Sequence, residues 1–565
     1  MNRYLTAAAL AALLAPAAGR AQTAPYFQQG VDYRIEARLD EATDVLAGRA
    51  RLRYTNRSPR GLDTIWVHQH LNAFRPNSAW ARRDLQFGET RFQNLGPTEH
   101  AFERFTAVRV NGRAVRPVYP LSPDSTVAAI PLGARLAPGA SVTLDMDWNA
   151  RLSTLPRRQG RAGRHYDWAQ WYPRVAVYDR GGWQVQPLLP QGEFYGEYGT
   201  YDVTLDLAAD QVIGATGVPV EGDRGYPVTD FEKNFYRATP AAVSLGLLTG
   251  APAAGRKRVR FHARNVHHFA WAIDPRFVHE GVTRLVMSDA QSAPQGLPAI
   301  HVLFLPEDST WASNIASRRT YDALTWLQGK LSPYPWPQLT NLHRIESGGT
   351  EFPMLFMNGS ASEGLIVHEA THEWLHGILG NNEWKEGWLD EGFTSFMTNW
   401  YFEEKNRREG NDTTDVWRTS MQTLERFERA DSLQPIALPS AEYRDPRVYN
   451  LVTYTKTAAV FRMLREHLGT ATFERVLREY ARRYQFKHVT GEDFRRTAEQ
   501  VSGQQLGWFW DQWIRRTDRL DYSVASAATR QLANGRWSTT VQVRRDGQAW
   551  MPVDLRVGDV TRRLS

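Results

Sequence analysis

The hydrophobic pattern of this chain changes period near residue 273, and that change divides the sequence into different kinds of structure. Before it, apolar and polar residues alternate in stretches such as residues 141–146 and 201–207, the period expected of half-buried strands. After it, apolar residues recur at the spacing of amphipathic helices. Alternation returns from about residue 521. We therefore predict a multidomain α+β fold, with a large N-terminal antiparallel β domain, an α-rich domain and a short C-terminal β segment.

The predicted domain boundaries follow these changes. The 565 residues are too many for one ordinary domain. We assign residues 1–21 to a leader, 22–273 to the β-rich domain, 274–520 to the helical domain and 521–565 to the C-terminal segment. Start and stop signals predict helices at residues 311–331, 362–379, 390–405, 415–430, 454–468, 472–484, 491–502 and 506–516.

The first residues are typical of a secretory signal peptide. Arg3 supplies a positive charge, residues 5–18 are almost wholly Ala and Leu, and small residues lead to Ala21. The apolar run is too short to span a membrane, and no later stretch reaches the length of a membrane helix. We expect cleavage near Ala21, export to the periplasm or the extracellular space, and no integral membrane segment afterwards.

Composition excludes some classes of function. The formal net charge is +7, but the densest basic stretch, residues 157–164, is short and is interpreted as a solvated loop. Nucleic-acid binding needs basic residues focused on one face, so we expect no nucleic-acid partner. The chain has no Cys. Any metal site must therefore use histidines and carboxylates.

The run H-E-A-T-H at residues 368–372 carries the most chemistry. His368 and His372 are four residues apart, so in a helix they lie on one face and can bind one zinc ion. Glu369 is displaced around the helix, where it can approach a water on the metal as a general base. The pattern recurs by chance in unrelated helices, so a helix surface with two solvated histidines is the alternative.

A catalytic zinc ion takes three protein ligands and keeps one open position. Glu391, nineteen residues after His372, is the candidate third ligand, because a turn at residues 380–382 lets a second helix run back towards the histidines. A third histidine six residues after His372 would indicate another site, but that position is Ile378. His376 is expected one turn further along the same helix, packed and not bound to metal.

These residues and two flanking motifs resemble a known family. The H-E-x-x-H run, followed after eighteen residues by the glutamate of W-L-D-E-G-F, resembles the gluzincin zinc aminopeptidase family of aminopeptidase N and leukotriene hydrolase. Upstream, G-G-T-E-F-P at residues 348–353 is similar to the family's G-x-M-E-N segment. Downstream, Y-T-K at residues 454–456 is similar to its Y-x-K-G segment.

The resemblance implies a thermolysin-like catalytic domain with one Zn²⁺ per chain, acting as an aminopeptidase on peptides with a free N-terminus. Glu369 would assist the attack of zinc-bound water on the first peptide bond. Glu351, beside Gly348 and Gly349, would bind the free amine of the substrate. Tyr454 would stabilise the oxyanion.

Three positions depart from the family pattern. Thr350 and Phe352 replace the usual Met and Asn and are expected to line the substrate cleft, and Thr457 replaces a Gly. Side-chain preference therefore cannot be carried over. Two other functions stay open: a thermolysin-like endopeptidase, which needs no amine-binding glutamate, and a non-catalytic binding protein that retains the fold.

Overall fold

A computed structural model describes residues 25–236, 239, 243–281 and 298–564. The predicted leader, residues 1–21, lies outside these described residues. Within them, no helix is both long and apolar enough to cross a membrane.

The first part of the chain is built on an eight-stranded sheet. One neighbouring pair among its described strands, Gly30–Asp40 with Gly199–Ala208, runs parallel, and the other pairs run antiparallel. In spatial order the strands are Val218–Glu221, Arg256–Val266, Gly199–Ala208, Gly30–Asp40, Val45–Thr55, Ser141–Arg151, Phe102–Val110 and Arg113–Ala114.

Alternation in the sequence sets the two faces of this sheet. Along Ser141–Arg151 every second side chain is buried, as the pleat of a strand requires. Trp148 and its cross-strand neighbours lie on the inner face, where Trp148 donates a hydrogen bond to the carbonyl of Trp171 at 3.0 Å. The ring of Trp171 in turn packs edge to face against that of Trp271, with the ring centroids 5.9 Å apart. Large aromatic rings thus fill the space between the sheets.

The first part of the chain also contains smaller elements. A short 3₁₀ helix lies at His70–Ala73, and helices at Ala79–Gln86 and Asp230–Phe235. A three-stranded sheet consists of Arg174–Val175, Leu62–His68 and Val127–Leu136; a four-stranded sheet consists of Val212–Ala215, Trp271–Asp274, His165–Trp168 and Gly160–Ala162; a ribbon pairs Tyr178–Asp179 with Gly182–Trp183.

The second part of the chain packs helices against a mixed five-stranded sheet. In spatial order its strands are Val278–Gly281, Ala299–Phe304, Gln338–His343, Leu355–Asn358 and Gly349–Phe352. The helices lie at Ile315–Lys330, Glu363–His372, Glu383–Gly387, Phe393–Glu409, Asp415–Arg429, Pro446–Asn450, Thr457–Leu468, Thr470–Tyr484, Gly491–Ser502 and Gly507–Trp510, with a 3₁₀ turn at Ser440–Glu442 and π-helical turns at Trp388–Gly392, Leu451–Lys456 and Asp511–Arg515.

The helix predicted at residues 362–379 is wrong in its second half. It ends at His372. Beyond it, His376 has a φ of 118°, which a right-handed helix does not permit. The strand Leu379–Asn381 then pairs with Lys487–Val489, more than a hundred residues away in the chain. His376 is therefore not on the helix of the histidine pair, and its Nδ1 atom lies 2.8 Å from a Glu383 oxygen.

The last described residues form two hairpins on the helical part. Tyr522–Gln531 pairs with Trp537–Arg545, and Val553–Val557 pairs with Val560–Leu564. Trp550, between the hairpins, stacks on Trp508 at 4.1 Å. The β-rich, then helical, then β order confirms the predicted fold class.

The approach of Gly48 to Trp148 gives a stability prediction. A Cβ atom on Gly48 would lie 2.3 Å from Cζ2 of Trp148. Gly48→Ala is expected to cost about 1–3 kcal/mol, because the ring must move within a packed core. A thermal unfolding scan should show a lower midpoint. Gly329→Ala is the control, because nothing lies within 4 Å of its added Cβ on the helix Ile315–Lys330. An unchanged midpoint for Gly48→Ala would contradict the prediction.

Candidate metal centre and substrate cleft

The histidine pair lies on the short helix Glu363–His372. Ser362 caps it, its hydroxyl accepting a hydrogen bond from the backbone N–H of Leu365. One helical turn separates the two imidazoles, and their Nε2 atoms are 3.2 Å apart. His372 is buried, whereas His368 is partly open to the cleft.

Glu391 completes a triangle of ligand atoms. It belongs to the π-helical turn Trp388–Gly392, and its Oε2 lies 3.1 Å from Nε2 of His368 and 3.3 Å from Nε2 of His372. With ligands about 2.0–2.1 Å from zinc, neighbouring ligand atoms of a tetrahedral site lie about 3.3–3.4 Å apart. The three residues fit a zinc ion in both donor type and spacing.

Asp390 and Thr394 contact a histidine of this triangle. The Asp390 carboxylate lies 2.6 Å from Nδ1 of His372, and the Thr394 hydroxyl lies 3.3 Å from the same atom. Because a buried carboxylate at Nδ1 holds the proton there, Nε2 is left free to bind a metal.

Glu369 lies beside the metal ligands, and its Oε2 has no hydrogen-bond partner among the described residues. Burial, opposed by the positive charge of His372 and reinforced by the charges of Glu351 and Glu391, raises the pKa of Glu369 to about 8. Gly349 makes room for it, since a Cβ there would lie 2.1 Å from its Oε1. A carboxylate with a raised pKa is suited to accepting a proton near neutral pH.

The edge strand Gly349–Phe352 directs Glu351 to the cleft. Glu351 is buried, burial raises its pKa, and its Oε1 has no hydrogen-bond partner in the described part of the chain. Thr350 and Phe352 do not line the cleft, contrary to the prediction, because successive side chains of a strand point to opposite faces.

These two side chains pack behind the strand. Thr350 is hydrogen-bonded to the guanidinium of Arg344. Phe352 packs against the rings of Phe194 and His268, with ring centroids 5.9 and 5.0 Å apart. Both departures from the family pattern therefore affect the packing of the strand, and neither contacts the cleft.

Tyr454 lies in the second π-helical turn, Leu451–Lys456, facing the first. Its hydroxyl donates a hydrogen bond to Oε1 of Glu391 at 2.5 Å. Burial and then the charge of Glu391 raise the pKa of Tyr454 well above its ordinary value, so the phenol stays a donor. The two turns can pack closely because Gly392 has no side chain. A Cβ atom on Gly392 would lie 2.4 Å from the Thr457 side chain.

Several cleft residues come from the β-rich part and were not predicted. Glu193 forms an ion pair with Arg158 at the cleft, while Arg157 bonds Glu346 at 3.0 Å. The interpretation of residues 157–164 as a solvated loop is wrong for Arg158, whose side chain is 10% exposed. No pattern in the sequence joins these residues to a motif about two hundred positions later.

The metal triangle, Glu369, Glu351, Tyr454, Arg158 and Glu193 line one open cleft of about 900 Å³. Gly348, Gly349 and Glu351 line the cleft beside them, and ligand atoms of Glu351, Glu369 and His372 lie within 4.8 Å of one another. Such a cleft can hold a bound metal, a general base, a phenol donor and a free carboxylate around a single substrate.

The contact between Asp390 and His372 predicts a change in metal affinity. Asp390→Asn keeps every ligand but removes the charge behind His372, so zinc affinity should fall about 10- to 100-fold. Competition with a chromophoric chelator measures this. Asp511→Asn, which alters an exposed pair with Arg515, is the control and should bind zinc like the unmodified protein. Equal affinities in the two variants would contradict the orienting role of Asp390.

Sequence comparisons place these residues in a family. Residues 357–513 match the peptidase family M1 domain. The chain is 26% identical over 207 residues to the puromycin-sensitive aminopeptidase of Caenorhabditis elegans, covering 34% of this chain and 21% of that protein. It is 29% identical over 159 residues to the glutamyl aminopeptidase of Bitis rhinoceros, covering 27% of this chain and 16% of that protein. The chain thus spans about a fifth of the length of these curated relatives.

Solved structures share the fold over most of the chain. The M1 zinc metallopeptidase of Deinococcus radiodurans aligns with a TM-score of 0.56 and 16% identity, covering 86% of this chain and 93% of that one. A mutant of that enzyme bound to a Tyr-Ser-Ala substrate aligns with a TM-score of 0.57 and 15% identity, covering 86% of this chain and 94% of that one. The chain therefore carries a peptidase family M1 domain at residues 357–513 and shares its fold with M1 zinc metallopeptidases.

Proposed function

We propose that this protein is a zinc aminopeptidase that removes the first residue from peptides with a free N-terminus. The observation that carries the proposal is that the metal triangle, Glu369 and Glu351 meet in one cleft, where Oε1 of Glu351 has no hydrogen-bond partner among the described residues. The curated relatives named above are aminopeptidases, which supports the same reaction.

His368, His372 and Glu391 would hold the zinc ion. Bound there, zinc supplies Lewis acidity, which acidifies a water molecule and polarises a peptide carbonyl. Glu369 accepts a proton from the attacking water and then returns it to the nitrogen of the departing peptide. The new C–O bond forms in the attack, and the peptide C–N bond breaks after the nitrogen has received the proton.

Tyr454 would donate a hydrogen bond to the oxygen that becomes negative during the attack. Its hydroxyl now donates to Glu391, so it must exchange that acceptor for the substrate oxygen. Its raised pKa keeps the proton on the phenol. A donor that is already oriented in a buried site stabilises the transition state without a large reorganisation of solvent.

Glu351 would bind the substrate's ammonium group. Its buried Oε1 lacks a hydrogen-bond partner among the described residues, and leaving a buried carboxylate oxygen unpaired costs free energy. An ammonium group donates a charge-assisted hydrogen bond to such an oxygen. Because the ammonium is then fixed beside the metal centre, the bond within reach is the one after the first residue. An endopeptidase has no use for this contact.

The proposal predicts that free-amine aminoacyl substrates are hydrolysed and that their N-acetylated forms are not. A panel of fluorogenic pairs measures this with the zinc-loaded protein. Glu369→Gln should lower kcat about 10²- to 10⁴-fold, since the proton acceptor is lost. Equal cleavage of acetylated and free substrates would indicate an endopeptidase. No cleavage with zinc bound would indicate a binding protein.

Glu351→Gln tests the amine contact in the same panel. It should lower kcat/KM for free-amine substrates about 10- to 100-fold, because a charged hydrogen bond is lost. Glu363→Gln is the control, because Glu363 lies on the first turn of the helix Glu363–His372 and is bonded to Tyr401 and Lys405. If the control alone lost activity, the amine contact would be ruled out.

We also propose export to the periplasm or the extracellular space, supported by the composition of residues 1–21. The mature protein isolated from a bacterial host should begin at Gln22. N-terminal sequencing measures this. Protein that still began at Met1 and stayed in the cytosol would contradict the proposal.

A further inference from the structure

The catalytic cleft opens into a second cavity of about 650 Å³. Six residues line both cavities and so form the junction between them. They include two arginines and no carboxylate, and are Arg157, Pro190, Phe427, Arg447, Tyr449 and Asn450.

Arg447 carries its guanidinium at this junction. Arg447 is exposed on the short helix Pro446–Asn450, and no side-chain hydrogen bond or ion pair holds its guanidinium within the described part of the chain. The helix itself is fixed, because the Asp445 side chain accepts a hydrogen bond from the backbone N–H of Val448 at 2.9 Å. Arg447 therefore presents a positive charge from a firm backbone.

Arg157, the other junction arginine, is held in place. Its Nη1 lies 3.0 Å from Glu346, and its guanidinium lies over the ring of Trp80, 5.7 Å from the centroid. Glu346 also bonds Arg344 at 3.0 Å, so one carboxylate is shared between two guanidinium groups. The junction consequently keeps an excess of positive charge.

The acids of the second cavity do not cancel that excess at the junction. Asp84 and Asp445 are paired with Arg91 and Arg444, at 3.1 and 3.2 Å. Neither acid lines the catalytic cleft, and neither does Glu89.

The other two arginines that line the catalytic cleft, Arg158 and Arg344, are each paired with a glutamate. Beside the metal triangle, Glu351 and Glu369 each keep an oxygen without a hydrogen-bond partner in the described part of the chain, whereas the junction carries arginines. A substrate with an ammonium group at one end and a carboxylate towards the other matches this distribution of charge.

We propose that Arg447, together with Arg157, binds a carboxylate of the substrate on the leaving-group side of the cleaved bond. The proposal rests on the aminopeptidase function above and names its substrate class: short peptides that carry a carboxylate a few residues after the first. That carboxylate is the C-terminal group of a short peptide or the side chain of Asp or Glu. Both give guanidinium the same paired oxygen atoms.

The test compares KM for a tripeptide with that for its C-terminal amide. Ala-Ala-Ala should have a KM roughly 5-fold below that of Ala-Ala-Ala amide, as expected for a partly exposed charge pair. The preference should shrink in high salt, because exposed charges are screened. In Arg447→Gln the ratio of the two KM values should fall to about one.

The control is Arg429→Gln, which removes the same charge from an exposed pair with Glu425 and lines neither cavity. It should keep the preference of the unmodified enzyme. A second comparison separates the two sources of the carboxylate, the C-terminal group and an acidic side chain. If Ala-Asp-Ala amide has a lower KM than Ala-Asn-Ala amide, a side-chain carboxylate is also accepted. Equal KM values for acid and amide, or a preference that survives Arg447→Gln, would overturn the proposal.

Calorimetry keeps this test separate from the test of function. Zinc-loaded Glu369→Gln protein should bind Ala-Ala-Ala more tightly than its amide, and the double variant with Arg447→Gln should bind them equally. If the unmodified protein cleaves neither amide nor acid, the aminopeptidase function fails, and calorimetry still decides the carboxylate contact. Equal binding of acid and amide by Glu369→Gln would overturn that contact alone.

Discussion

Two imidazole nitrogens and one carboxylate oxygen lie within 3.3 Å of one another in this protein, and much of the helical half is arranged around them. The helix Glu363–His372 supplies the nitrogens, and the π-helical turn Trp388–Gly392 supplies the oxygen. A π-helical turn shifts the phase of a helix by an extra residue, which redirects side chains locally. Here two such turns face each other, and the Tyr454 hydroxyl bonds Glu391 across them.

Buried carboxylates around this centre are costly unless a cation or a donor meets them. Some of these carboxylates form ion pairs within the chain, as Glu193 does with Arg158. Glu351 and Glu369 each keep an oxygen that no described residue satisfies. Such incompletely paired groups are typical of sites that bind and react, because the missing partners are supplied by substrate and water.

The β-rich part contributes to the same cleft, which therefore lies where two parts of the chain meet. Arg157 and Arg158 come from a loop after the strand Ser141–Arg151, and Glu193 comes from a buried irregular segment. These residues place ordered charges along the cleft before substrate arrives. Fixed charges of this kind favour one orientation of a peptide over its reverse.

The sequence alone determined the metal-binding residue types, their spacing and the order of β-rich and helical parts, because helical and strand periods are local properties of the chain. It also placed the helix 491–502 within its observed bounds, since Thr490 and Gly503 give strong end signals. Only the tertiary structure ended the histidine helix at His372, through a strand pairing with distant residues. It likewise turned Thr350 away from the cleft and brought Arg158 into it, because long-range packing and ion pairing leave no periodic mark in a sequence.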